Sequence, residues 1–369
     1  MIKVCLLTNS PQYNGLKTLD DYSRLYRDEW VHSLPGGVNP GVETNYTRDL
    51  FFSMQRLSNS PYQIRRLNPS SDMLPFSVDD ATATAITTTT LQSLFQQNRL
   101  FYADYRDQAN LTLNPDHYSA ACDAYFYISP VTSEFLPLAI RTNTPGTTSL
   151  VYTPLDSPGD WLLAKLAFNA NDFWFSQWNH LAFTHETVQI IWMSAIRTLS
   201  SADHPVFAIL SRLCHQLFAI QVLAKGVLFA PGGAVDLVFA YTGKDAEEHT
   251  TRMYTSGGAG KFKGNGFEED VARRGLIGKT PELRDFPFYQ DASVIHAAIR
   301  RFMVEFVNSF YKSDADVAGD DEIQAWVAEA NGPAGVLDFP GRVVTREGLV
   351  EVLTQVVSLS LSLSVSVSL

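Results

Sequence analysis

Two apolar runs in the middle of the chain, WLLAKLAFNANDFWF at 161–175 and WNHLAFTHETVQIIWMSAIRTL at 178–199, constrain the fold more than any other feature. Both are long and carry few helix breakers, which predicts helices buried on most sides and places the core here. Pro205 opens a further helix predicted over 206–228, which the turn Pro231-Gly232-Gly233 ends. Later helices are predicted at 292–311 and 322–330, and Thr345-Arg346-Glu347 starts one that runs through 349–357. The class read from this pattern is mainly α.

The N-terminal part reads differently. Residues 1–85 are rich in Asn, Pro, Ser and Asp and suit loops and short helices wrapped on something larger. A helix is predicted over 87–100, and strands over 125–128 and 136–140 form a small hairpin through Ser129-Pro130-Val131-Thr132-Ser133-Glu134. At the other end the chain finishes as SLSLSLSVSVSL, 358–369, a strict two-residue alternation that predicts a strand with one apolar edge to cover.

The 369 residues are 45% hydrophobic and 18% charged, enough for one large core or two modest ones. A formal charge of -11 without any basic run excludes a nucleic-acid partner, since phosphate binding needs clustered Lys and Arg. Three widely spaced cysteines, Cys5, Cys122 and Cys214, encode neither a disulfide framework nor a thiolate zinc site and are expected to be buried thiols. MIKVCLLTNS is too short in its apolar run for a signal peptide, and no stretch reaches the length of a membrane span. The sequons Asn45-Tyr46-Thr47 and Asn110-Leu111-Thr112 lean towards secretion, with a cytoplasmic protein as the alternative.

Within the second apolar run, His180 and His185 stand five positions apart. On a regular α-helix that spacing turns two side chains about 140° away from each other, so they could not hold one ion. A single i to i+5 turn widens the helix and brings both rings to one side, which predicts a π-turn within 178–190. Imidazole nitrogen suits Fe, Mn, Zn, Cu or Ni, and a core histidine bonded to a backbone carbonyl is the plain structural alternative.

The segments WLLAKLAFNAND (161–172), QWNHLAFTH (177–185) and AIRTLSSADHP (195–205) resemble the signature region of the lipoxygenases, in particular the fungal manganese-type branch. FFSMQRLSNSPYQIRRLN, YSAACDAYFYI, FEEDVARRGL, FPFYQDASVIHAAIRRFM and TREGLVEVL extend the resemblance over roughly 50–357. It implies a lipoxygenase-type helical catalytic domain at 50–357, preceded by an extension at 1–50 and followed by the atypical tail at 358–369. No N-terminal β-barrel domain is expected, and the domain is expected to be incomplete at its C-terminal end. The implied cofactor is one non-haem Mn or Fe ion, held by two histidines of one bulged helix, a His and an Asn or His of a second helix, and a terminal carboxylate. The implied partners are a polyunsaturated fatty acid and O2: a bis-allylic hydrogen is abstracted and dioxygen adds to give a hydroperoxide. A secreted monomer is expected.

Residue by residue, His180 and His185 match the first ligand pair. Ala224 matches a small Ala-or-Gly position that in this family influences where oxygen enters, and Leu223 lies beside it as a second residue of the substrate pocket. The third and fourth ligand positions count onto Ser364 and Ser368, which are not substitute ligands. Impaired metal binding and activity are therefore expected, and a non-catalytic helical lipid-binding protein and a hydrolytic zinc protein are the competing readings. His204 and His215 are expected in capping or core hydrogen bonding.

Two other motifs yield to structural readings. GGAGKFKGNG (257–266) could cradle a phosphate but lacks the Gly-Lys-Ser/Thr end of a nucleotide loop. Asp314, Asp316, Asp320 and Asp321 hint at calcium, yet Ala318 and Ala325 occupy positions where an EF-hand needs oxygen, so a solvated acidic loop is expected.

Overall fold

A computed structural model describes residues 45–144, 146, 148–199, 203–214, 225–256 and 258–367. Its N-terminal part contains helix α1 (Asp49–Met54), strand β1 (Arg65–Arg66), helices α2 (Asp80–Thr87) and α3 (Leu91–Gln96), and strands β2 (Leu100–Asp104), β3 (Ala121–Ile128), β4 (Phe135–Asn143) and β5 (Leu150–Tyr152). Most of the expected extension at 1–50 lies outside the described residues.

The hairpin read from the sequence is the centre of a larger sheet, an antiparallel meander in the order β1-β2-β3-β4-β5. All eight residues of β3 are buried, so the polar-out alternation that marks a strand is absent there. Cys122, Ala124, Phe126 and Ile128 face one core with Phe52 and Phe168, while Tyr125 and Tyr127 face another with Leu91, Leu94 and Phe95.

The single helix expected over 87–100 is not formed. The chain makes the end of α2, a turn, α3 and the start of β2. The cause is the run Thr87-Thr88-Thr89-Thr90, whose hydroxyls and backbone compete with a helix. Thr87 Oγ1 bonds Ala83 O and Thr89 O, Thr88 adopts φ 66°, and Thr90 caps α3 by accepting from Ser93 N–H.

The two central apolar runs form one continuous helical rod: α4 (Pro158–His180), a π-turn (Leu181–Glu186) and α5 (Thr187–Thr198). Ser157 starts it by accepting from Asp160 N–H, with Pro158 in the first turn. Helix α6 (Pro205–Leu213) follows, and the middle of the helix predicted over 206–228, 215–224, lies outside the described residues. A second π-turn (Lys225–Phe229) and the short α7 (Ala234–Val238) lead to α8 (Gly243–Thr255) and α9 (Phe267–Arg273). Helices α10 (Pro287–Phe310), α11 (Asp314–Ala318), α12 (Asp321–Asn331) and α13 (Arg346–Val367) complete the chain.

The second half packs as one helical core, with Ile191 and Trp192 of α5, Leu210 of α6, Met303 and Val307 of α10, Trp326 of α12, and Leu353 of α13 in a single cluster. The strand expected over 358–369 is corrected by this structure: α13 continues helically through Val367. Once a helix is nucleated, adding a residue costs little, and Val356, Val357 and Leu359 gain burial in the helical core that an isolated strand would forfeit.

The two doubtful motifs are satisfied internally. Lys263 N–H and Gly264 N–H donate to the Asp338 carboxylate at 2.7 and 2.9 Å, so a protein carboxylate occupies the backbone cradle that a phosphate would need. Ser313 and Asp316 form a capping box on α11, and Asp320 caps α12 through Glu322 N–H and Ile323 N–H. Cys122 and Cys214 are buried free thiols, as expected; Cys5 lies outside the described residues.

Candidate metal centre

His180 is the last residue of α4, and His185 sits in the π-turn that follows. The turn expected from their spacing is present, and it brings the ring centroids to 5.4 Å with the planes at 87°. Burial holds the pKa of His180 down at about 4, with His185 a second cause, and burial also lowers that of His185. Both rings are therefore neutral near neutral pH, with lone pairs available for coordination. Nδ1 of His180 is buried and has no hydrogen-bond partner.

Helices α8 and α13 pack against the π-turn and fix its surroundings. Sequence reading passed over one member of that packing, His249 on α8. It occupies the buried face of an amphipathic helix with Ala246, Thr250 and Met253, a three- and four-residue rhythm that could have drawn notice. Its Nδ1 accepts from Arg252 Nη2 at 3.2 Å, its Nε2 is buried without a partner, and burial, then the Arg252 charge, lower its pKa to about 4. On α13, the hydroxyls of Thr354 and Ser358 are likewise buried and unpartnered.

The outer face of α4 that ends at His180 carries Leu163, Leu166, Ala170, Phe173 and Gln177 at helical spacing, and Leu163, Leu166 and Phe173 are exposed. Leu163, Leu166 and Phe173 thus give this face of the helix an exposed apolar stretch, with the polar Gln177 between it and the first imidazole. His204 acts as a cap, its Nδ1 accepting from Val206 N–H at 3.2 Å while its Nε2 meets Asp320 at 3.1 Å. His215, Leu223, Ala224 and Ser368 lie outside the described residues; Ser364 lies within α13.

Among the described residues no group of three or more His, Cys, Asp and Glu side chains could hold a metal. Two imidazoles alone do not fit the five-donor manganese or iron site that the sequence resemblance implies.

A lipoxygenase family model matches residues 64–367. The chain belongs to the lipoxygenase family. Among its relatives are the manganese lipoxygenase of Colletotrichum gloeosporioides (strain Cg-14), 48% identical over 351 residues, which cover 94% of this chain and 57% of the relative. That of Fusarium oxysporum (strain Fo5176) is 45% identical over 351 residues, with the same shares. A solved structure of a manganese lipoxygenase superposes with a TM-score of 0.89 at 46% identity, covering 96% of this chain and 62% of the other. This lipoxygenase chain therefore spans 57% of the length of those two curated relatives. Its helical rod with the central π-turn is part of the matched region.

Proposed function

We propose that this chain acts as a lipoxygenase-type dioxygenase that converts polyunsaturated fatty acids of the linoleate class and O2 into hydroperoxides. The observation that carries the reading is the π-turn that brings His180 and His185 together in a chain of this family. In the complete site one non-haem manganese or iron ion would supply the redox chemistry, with these two histidines as its first ligands. The chain's own part is to present two neutral imidazoles and an apolar wall, Leu163, Leu166 and Phe173, along which an acyl chain lies. Leu223 and Ala224 would line the pocket, and a secreted monomer suits the reading.

Two donors do not retain manganese or iron well, so the chain as given is expected to purify with little of either and to form little conjugated diene from linoleate. Extending it after Val357 with the corresponding segment of the Colletotrichum relative should raise both, and His180→Ala or His185→Ala should abolish them. An extended, folded chain that binds manganese but oxidises no fatty acid would refute the reading. In the extended chain, Ala224→Gly should shift the position or handedness of oxygenation, read by chiral analysis of the hydroperoxides. A second reading, a non-catalytic lipid-binding member of the family, is favoured by the lack of a third donor among the described residues. It requires linoleate binding without diene formation in both forms.

A further inference from the structure

The sequon Asn110-Leu111-Thr112 takes no part in the histidine pair or in the face of α4 that leads to it. We propose that Asn110 is a site of N-glycosylation, its side-chain amide accepting an oligosaccharide. This rests on the reading of the chain as a secreted protein and on nothing in the metal centre.

Two observations carry it. The first is placement. Asn110 ends a short 3-10 turn (Arg106–Asn110), and the chain becomes extended at Leu111, with φ -84° and ψ 149°. In extended backbone successive side chains point to opposite sides, so Asn110 and Thr112 share one side and Leu111 takes the other. Burial agrees: Leu111 packs half-buried against the aromatic cluster of Trp174, Trp178 and Tyr241, while Asn110 and Thr112 are both exposed. The amide that takes the sugar and the hydroxyl that marks it for the transferase therefore stand on the surface together.

The second is that both groups are free. Among the described residues no hydrogen bond engages the Asn110 amide or the Thr112 hydroxyl. Thr112 is held by its backbone alone, its N–H donating to the Asp245 carboxylate at 2.6 Å and its carbonyl accepting from Thr242 N–H at 3.1 Å. Asn114, in the same stretch, shows the opposite case: it is buried, and its Nδ2 donates to Phe239 O at 3.1 Å and Tyr241 O at 3.0 Å. A substituent there would break bonds that nothing replaces, whereas one at Asn110 breaks none.

The step is a glycosyl transfer. Nδ2 of Asn110 attacks the anomeric carbon of an oligosaccharide carried on a lipid diphosphate, the new C–N bond forms as the C–O bond to the diphosphate breaks, and the amide gives up one proton. The product keeps an N–H and a carbonyl and adds bulk without charge, so the turn needs no rearrangement.

Peptide mapping of the chain made in yeast behind a cleavable secretory leader tests the proposal. Protein is recovered from both the secretory membranes and the medium, so that poor export does not hide the result. The peptide that contains Asn110 should carry a glycan, and an amidase that releases N-glycans should leave aspartate at that position. Asn110→Gln and Thr112→Ala should each lose the mass of one glycan, Thr112→Ser should keep it, and Asn45→Gln in parallel keeps the two sequons apart. Being exposed, Asn110→Gln should unfold at the same denaturant midpoint as the parent stripped of its glycan.

Unmodified asparagine at position 110 in the recovered protein would overturn the proposal, and so would a glycan mass that Asn110→Gln leaves unchanged. The dioxygenase reading is judged separately: unmodified Asn110 leaves it standing, and an extended chain that forms no diene leaves Asn110 untouched. Whether the chain is exported from its own cell is decided by fractionating that cell, not by the leader-directed protein.

Discussion

Arg56 Nη2 meets Asp172 Oδ2 at 3.0 Å with the two side chains 1% and 6% exposed, a buried ion pair that ties the segment after α1 to the middle of α4. Ser60 Oγ and the Tyr105 hydroxyl donate to the other carboxylate oxygen, and burial beside Asp172 holds the Tyr105 phenol well above its ordinary pKa. Removing one partner strands the other charge in a dry site. Asp172→Ala should therefore cost about 3–5 kcal/mol, read from urea denaturation. Replacing both ions with apolar residues, Arg56→Met with Asp172→Leu, should recover much of that loss. A single variant within about 0.5 kcal/mol of the parent, a surface-like effect, would show that the pair is not a structural tie.

Trp326 of α12 is fully buried against α5 and Phe339, and its indole N–H lies 3.2 Å from Ser194 Oγ. Trp326→Ala should destabilise the helical core by about 3–5 kcal/mol through cavity formation, with Trp326→Phe much milder. Denaturation midpoints compared at equal m-value decide it.

The His249 pKa is lowered from 6.5 to about 4, by burial first and the Arg252 charge second. Between those values the unfolded chain takes up a proton that the folded chain refuses. Its contribution is complete above pH 6.5 and is lost as the pH falls towards 4. Unfolding free energy measured at steps across this window should decline on acidification, and His249→Leu should flatten the decline. An identical slope in the variant would assign it to other groups.

Leu163, Leu166 and Phe173 stand exposed on one face of α4. Leu163→Ser with Leu166→Ser should leave stability within about 1 kcal/mol while weakening any self-association at high concentration and, if these residues form the acyl-chain wall, linoleate binding. Sedimentation at increasing concentration gives the answer, and unchanged association would place the sticky surface elsewhere.

The helical frame was legible because its signals are local. The apolar runs at 161–175 and 178–199 have no competing pattern, although the helices expected from 161 and 292 start earlier, at Pro158 and Pro287. The π-turn was legible for a similar reason, since two histidines five apart are useful together only if the helix widens. The sheet was harder: β1 has two residues and β5 three, too short for alternation to register, and β3 is buried on both faces. The tail misled because a two-residue rhythm carries no record of the helix that feeds it. His249 lies in a local apolar rhythm with Ala246 and Met253, but the partner that buries it, Trp174, is distant in the sequence and is encoded by no short motif.

The rod formed by α4, the π-turn and α5 is roughly 60 Å long at about 1.5 Å per residue. Its first half is seated by Trp161 and Phe168 against the sheet, its middle by Trp174 and Trp178 in an aromatic cluster, and its last part by Ile191 and Trp192 in the helical core. Three cores that share one backbone element cannot melt one at a time without breaking that element's hydrogen-bond ladder. The rod thus works as a shared axle for cooperativity that couples these three cores, whereas the core of Leu91, Leu94 and Phe95 on the other face of the sheet has no residue on it. Amides of α4 and α5 should then exchange with deuterium together and last, and the histidine joint between them inherits the slowness of both halves.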